Sequence, residues 1–290
     1  MKLKILLFGL GLALVLGGEI LHAQQWSNIR IKAEIGDAMS QYNLGVCYYK
    51  GEGVAQDYVE AVKWLHKAAE QNLAQAQYNL GVCYRDGQGV AKDEAEAAKW
   101  WRKAAEQNLA VAQCAMGTCY GLGFGVTKNE VEAVKWLRKA AEQNYAEAQQ
   151  LLGVSYYDGR GVTKDYTEAV KWYRKAADQN LAEAQFNLGF SYDEGQGVTK
   201  DEVEAVKWWR KSAEQNYAKA QIKLALCYDK GRGVAKDEAE AVKWFVLSAA
   251  QGNDLAKKAV AGLEERSMSP EQIAEGKRRA NDWFEQHKKP

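Results

Sequence analysis

Residues 74–109 read AQAQYNLGVCYRDGQGVAKDEAEAAKWWRKAAEQNL. The same thirty-six-residue pattern recurs six times without insertion, the other copies starting at Ala38, Ala110, Ala146, Ala182 and Ala218. Trp64, Trp100, Trp136, Trp172, Trp208 and Trp244 fall in one phase, and Gly45, Gly81, Gly117, Gly153 and Gly189 in another, with Ala225 in the sixth slot. A fixed period of this length is the mark of a solenoid, whose units each bury an apolar face only against their neighbours.

Within the quoted copy, Ala76, Leu80, Cys83 and Tyr84 recur at helical spacing and predict a short amphipathic helix, A. Gly87-x-Gly89-Val90 then permits a sharp turn, because glycine reaches positive φ at low cost. Asp93 followed by Glu96 predicts a capping box at the start of a second helix, B. Ala97, Trp100, Trp101 and Ala104 line one stripe of that helix, the alanines allowing close approach and the indole filling the gap between helices. Helix B stops at Asn72, Asn108, Asn144, Asn180 and Asn216, with Gly252 in the last copy; these two residue types tolerate a left-handed C-terminal cap.

The run Ala-x-Ala-Gln-x-x-Leu-Gly, Tyr, Gly-x-Gly-Val, Asp-x-x-Glu-Ala, x-Lys-Trp and Lys-Ala-Ala-Glu-Gln resembles the Sel-one-like repeats, relatives of the tetratricopeptide repeats, over residues 38–253. The resemblance implies an all-α fold, an α/α solenoid wound as a right-handed superhelix of helix-turn-helix repeats, and a scaffold or adaptor role.

Both ends depart from the period. Lys2 and Lys4 precede the apolar run Ile5 to Leu16, and Ala23 offers a small residue before a cut, the plan of a secretory signal peptide over residues 1–23. The run is short for a membrane span, so no stable span is expected after cleavage. Secretion, or a periplasmic location in a bacterium, is the expected outcome. No Cys follows the run, which argues against a lipid anchor. Residues 24–37 read as an N-terminal half repeat, Ala33 to Gly36 in phase with Ala69 to Asn72, with Trp26 as a cap. Beyond the repeats, residues 254–290 read as capping helices: a seventh helix A over 254–266, then a helix started by Ser269-Pro270. Removal of Lys2, Lys4 and Glu19 leaves equal numbers of basic and acidic residues, so charge gives no argument for nucleic acid.

Little points to catalysis. The chain holds three histidines, of which His66 and His287 lie near opposite ends of the repeat array, and no metal site or cofactor is expected. Ser-x-x-Lys, Gly-x-Ser-x-Gly and His-Glu-x-x-His are absent. Some exported relatives are described as acting on β-lactams, so a hydrolase of that type is the alternative; the missing Ser-x-x-Lys weighs against it. Cys47, Cys83, Cys119 and Cys227 share one phase of helix A, and Cys114 stands apart. Adjacent helices pack about 8–10 Å apart, too far for in-phase cysteines to bridge, so no disulfide is predicted. Some exported members of the family pair cysteines between the two helices of a repeat; helix B here carries none.

Repetition supplies its own control, since scaffold phases repeat and phases free to specialise diverge. In helix A the divergent phases are those of Gln75, Tyr78, Asn79, Val82, Arg85 and Asp86, one contiguous face. The tetratricopeptide likeness places this face on the concave wall. One row reads Tyr42, Tyr78, Cys114, Gln150, Phe186 and Ile222; the next reads Asn43, Asn79, Ala115, Leu151, Asn187 and Lys223. Rings supply contact area and amides bond a backbone, so Tyr42, Asn43, Tyr78, Asn79, Val82, Gln150, Phe186, Asn187, Ile222 and Lys223 are the expected contacts for a protein or peptide. Arg160, Arg232 and Phe124 in the glycine loops suggest a second surface.

Overall fold

The computed structural model describes residues 27–263 and 268–287. The expected signal segment, Trp26 and the end of the expected seventh helix A lie outside them. Every regular element among the described residues is helical. After α1 (27–34), the A helices are α2 (Ala38–Lys50), α4 (Ala74–Asp86), α6 (Ala110–Leu122), α8 (Ala146–Asp158), α10 (Ala182–Glu194) and α12 (Ala218–Lys230). The B helices are α3 (Tyr58–Glu70), α5 (Glu94–Glu106), α7 (Glu130–Glu142), α9 (Tyr166–Asp178), α11 (Glu202–Glu214) and α13 (Glu238–Ala250). The chain closes with α14 (Asp254–Ala261) and α15 (Pro270–Gln286). Successive helix pairs pack as an α/α solenoid, and the described residues form two compact units that divide after Ala140.

The joints follow the sequence closely. Asn72, Asn108, Asn144, Asn180 and Asn216 all sit at φ of 65–67°. Asn72 N–H donates to the Ala69 carbonyl and Leu73 N–H to Ala68, the paired bonds that close a helix through a left-handed residue. Gly87 ends α4 at φ 69°. Gly89 answers a different need: a Cβ there would lie 2.0 Å from the Tyr58 carbonyl of the preceding B helix. The second glycine of the loop is therefore a contact point between repeats as well as a turn residue.

Only half of the expected capping box forms in the repeats. Asp93 accepts from Glu96 N–H at 2.9 Å, but its own N–H donates to the Tyr84 carbonyl, closing the loop onto helix A. Glu96 is left to pair with Lys99. The full reciprocal box appears once among the described helices, at Ser269 and Gln272 of α15.

The indoles bolt one repeat to the next. Trp100 lies in a core with Ala68, Ala69, Leu80 and Cys83, and Trp136 with Ala104, Ala105, Met116 and Cys119. In the second unit, Trp208 joins Ala176, Ala177 and Leu188. A lysine one turn on covers each ring, Lys103 standing 4.0 Å from the Trp100 centroid and Lys211 4.1 Å from that of Trp208. The seventh A helix is shorter than the period suggests. It stops at Ala261, and Leu263 turns in to pack with Val242, Met268 and Ile273. Helix α15 then lies on α13, held by Arg279, which pairs with Asp237 and Glu240 at the start of α13.

Candidate functional site

A second set of joints is polar, and helical periodicity does not reveal it. Gln77 is 2% exposed; its amide donates to the Ala69 carbonyl and to the Asn72 side chain. Gln107 of the next turn donates to the same Asn72 and to Gln77. The pattern recurs in the second unit at Gln185 with Gln215 and at Gln221 with Gln251. The asparagines chosen for their backbone thus also serve as acceptors. The legible signal was an invariant polar residue in a helix beside a small one: Gln in all six copies, after Ala in five and after Ser40 in the first.

Two of the three loop residues expected to form a second surface, Phe124 and Arg232, are ties between repeats. Phe124 stacks on Trp101 at 6.3 Å. Arg232 pairs with Asp193, whose carboxylate is buried, and the pairing holds Arg232 above its ordinary range. Tyr49 donates to Gln88 and Tyr157 to Gln196 across the same thirty-nine-residue step that separates Asp193 from Arg232. Arg160 pairs locally with Asp158.

Against this frame of satisfied contacts stands the divergent face of the A helices. In the first unit Tyr42, Asn43, Tyr78, Asn79 and Val82 are all half-buried. Asn79 reaches Tyr42 Oη at 3.5 Å, joining the two expected rows. Tyr78, Asn79 and Val82 line a cleft of about 280 Å³ with Val46, Tyr49, Lys50 and Leu65. The cleft is walled by aliphatic groups and tyrosine rings, and Lys50 is its one charged lining residue. Lys50 is exposed and its 3.5 Å pairing with Glu52 is a weak surface contact.

The second unit differs. Phe186, Asn187 and Lys223 are half-buried, but Gln150 and Ile222 are buried. That corrects the expectation that these two present their side chains to a partner. Their position tucks the side chain between helices, as it also does for Cys114, and only the longer rings at Tyr42, Tyr78 and Phe186 reach outward. Ile222 belongs to the core with Trp209 and Tyr228, and Phe186 packs against that core. Lys223 lies 5.5 Å from the Phe190 centroid and 5.6 Å from that of Trp209. Another cleft, of about 480 Å³, runs along α9 beside Gly197 and Val198, where Lys171 is paired with Glu168 and Lys175 covers Trp172.

The cysteines sit deep in this frame. Cys83, Cys119 and Cys227 are buried free thiols, pushed up to about 11 chiefly by desolvation; Cys47 is half-buried and Cys114 buried. None of the helices among the described residues is long and apolar enough to cross a membrane.

A family model described as Sel1 repeat matches residues 38–73, 74–109, 110–145, 146–181, 182–217 and 218–253. The chain belongs to the Sel1 repeat family. Among solved structures, this Sel1 repeat protein is 37% identical to a protective antigen of uropathogenic Escherichia coli with the same fold, at a TM-score of 0.78, covering 89% of this chain and 56% of the antigen. It is also 37% identical to a Sel1 repeat protein of Oxalobacter formigenes, at a TM-score of 0.72, covering 86% of this chain and 97% of that one. A curated relative, a sel1-like repeat-containing protein of Acanthamoeba polyphaga mimivirus, is 44% identical over 45 residues, 16% of this chain and 8% of the relative. The chain thus spans a small part of that relative and just over half of the antigen.

Proposed function

We propose that this Sel1 repeat protein is an exported, non-enzymatic scaffold that holds a protein or peptide segment against the divergent face of its A helices. The carrying observation is the cleft in the first unit, where residues that vary between repeats converge while the phases around them are committed to helix joints. Concave, largely apolar sites with a few polar groups are the usual form of a binding site. An extended segment would lay side chains on Tyr42 and Tyr78 and offer its backbone to Asn43 and Asn79.

Export rests on Lys2, Lys4, the run Ile5 to Leu16 and Ala23. N-terminal sequencing of the mature protein should begin at Gln24, and fractionation should place it outside the cytoplasm. For binding, a pull-down comparing wild type with Tyr42→Ala/Tyr78→Ala/Phe186→Ala should lose partner recovery in the variant. Equal recovery from two folded proteins would remove the A-helix face from consideration.

A further inference from the structure

We infer that the cleft of the first unit accepts an aromatic side chain of the bound peptide, with an acidic residue next to it in the sequence. This rests on the A-helix face being the binding surface, and it names what enters it. In most repeats the chain fills the corresponding space itself. Trp101 lies opposite Gly81 and donates from Nε1 to the Tyr78 carbonyl at 3.1 Å. Trp209 lies opposite Gly189 and donates to the Phe186 carbonyl at 3.2 Å. Tyr173 lies opposite Gly153. The glycine is needed because a Cβ would fall 2.5 Å from the Trp101 indole and 2.6 Å from the Tyr173 ring. The first repeat keeps that glycine, Gly45, but sets Leu65 opposite it, as the third sets Leu137 opposite Gly117; in the first, Val46 and Asn79 line an open cleft beside the leucine.

The rest of the wall is thinned in the same way. Four periods on, Val46, Leu65 and Asn79 correspond to Phe190, Trp209 and Lys223, where the lysine lies over both rings. Val46, Leu65 and Asn79 instead line the open cleft. Leu65 takes the clearance that Gly45 leaves, and the shorter Val46, Leu65 and Asn79 open beside it a cleft with aliphatic and tyrosine walls and no ring of its own opposite the glycine. An aromatic group buries a large area at small entropic cost and suits such a slot better than an aliphatic one. The charge follows the same logic. Tyr49 and Lys50 stand where Asp193 and Glu194 stand four periods on; Asp193 is buried against Arg232, so the exposed rim residue of this pair is Lys50 here and Glu194 there. Lys50, whose partner among the described residues is an exposed glutamate at 3.5 Å, selects a carboxylate beside the ring.

The test is an NMR titration of the full chain, isotope-labelled, with acetyl-Glu-Trp-Glu-amide, acetyl-Glu-Leu-Glu-amide and acetyl-Lys-Trp-Lys-amide. The tryptophan peptide should bind at roughly millimolar affinity and shift Val46, Tyr78, Asn79 and Val82, with the other two weaker by about fivefold or more. Leu65→Trp, which installs the ring that sibling repeats carry against the same glycine, should weaken binding by at least about tenfold. Val46→Phe closes the slot from the other wall and serves if the first variant does not fold. Absent shifts, shifts confined to another face, or unchanged affinity in a folded, slot-filled variant would each overturn the inference. Should the slot-filled protein still recover its protein partner while Tyr42→Ala/Tyr78→Ala/Phe186→Ala does not, the scaffold reading stands and the aromatic slot falls.

Discussion

The first repeat and the fifth are laid out on one plan and finish as different surfaces. In the fifth, Phe190, Trp209 and Lys223 close over the face of α10, and Ile222 sinks into the core. In the first, Val46, Leu65 and Asn79 leave a cleft between α2 and α4, bordered by Tyr49 and Tyr78. Both keep the joints: the left-handed asparagine, the glutamine that donates to it, and the glycine facing helix B. The contrast separates two tasks that a repeat performs with different positions. Joint positions are constrained by the backbone of the neighbouring helix and repeat with the period. Face positions are constrained only by what fills the space above them, so they drift and can specialise.

Making the fifth repeat resemble the first should have the largest effect. Trp209→Ala removes a ring that is 1% exposed and in core contact, and should cost about 3–5 kcal/mol, read as the denaturant midpoint at unchanged slope. A loss below about 1 kcal/mol would mean the closed face is not a packed core.

Alkali should act on both units through the buried thiols. Cys83 and Cys119 in the first unit and Cys227 in the second ionise near 11 when folded, against an ordinary value of 9. Below pH 9 both states keep their protons. Between 9 and 11 the unfolded chain releases protons that the folded one retains, so stability falls, and above 11 the loss levels off. Each thiol contributes at most about 2–3 kcal/mol over that interval. Cys83→Ala and Cys227→Ala should each flatten the pH 9–11 decline in chemical denaturation; an unchanged decline would place its origin elsewhere.

A matched glycine pair sharpens the comparison further. Gly189→Ala drives a Cβ to 2.7 Å from the Trp209 indole, and should cost about 1–3 kcal/mol despite the helix-favouring substitution. Gly45→Ala meets Leu65 Cγ at 2.8 Å, a flexible side chain beside the cleft, and should stay within about 1 kcal/mol of wild type. Equal costs would show that Leu65 has nowhere to move. The smallest contrast is in the loop ties. Arg232→Ala strands the buried Asp193 carboxylate and should cost about 1–3 kcal/mol, whereas Gln88→Ala frees only the Tyr49 hydroxyl and should cost about 0.5–1 kcal/mol.

The sequence makes the joints legible because their chemistry is narrow. Only Asn or Gly tolerates the turn after Ala69, and the phase of Trp100 fits a buried stripe. The divergent face was legible as a face but not residue by residue. Gln150 and Ile222 share a row with Tyr42 and Tyr78, and a helical wheel cannot show that this row opens to solvent only for long rings. The glutamine ladder escaped because a polar residue read alone predicts exposure. The loop ties escaped for another reason, since pairs thirty-nine residues apart, such as Tyr49 with Gln88 and Asp193 with Arg232, show their coupling only when two repeats are compared together. The cleft itself shows only as a combination, an aliphatic Leu65 where Trp101, Tyr173 and Trp209 stand in other copies, a choice the third copy shares at Leu137, together with Val46 and Asn79 around it.

The most direct measurement places a photoreactive benzoylphenylalanine at position 79 in one protein and at position 223 in another, matched phases of the open and closed repeats, and compares crosslinking in the native host. Crosslinking of a common partner from position 79, suppressed by Leu65→Trp and weak from position 223, is the expected result. Equal crosslinking from both positions, or crosslinking from position 223 alone, would contradict the assignment of binding to the open face of the first unit.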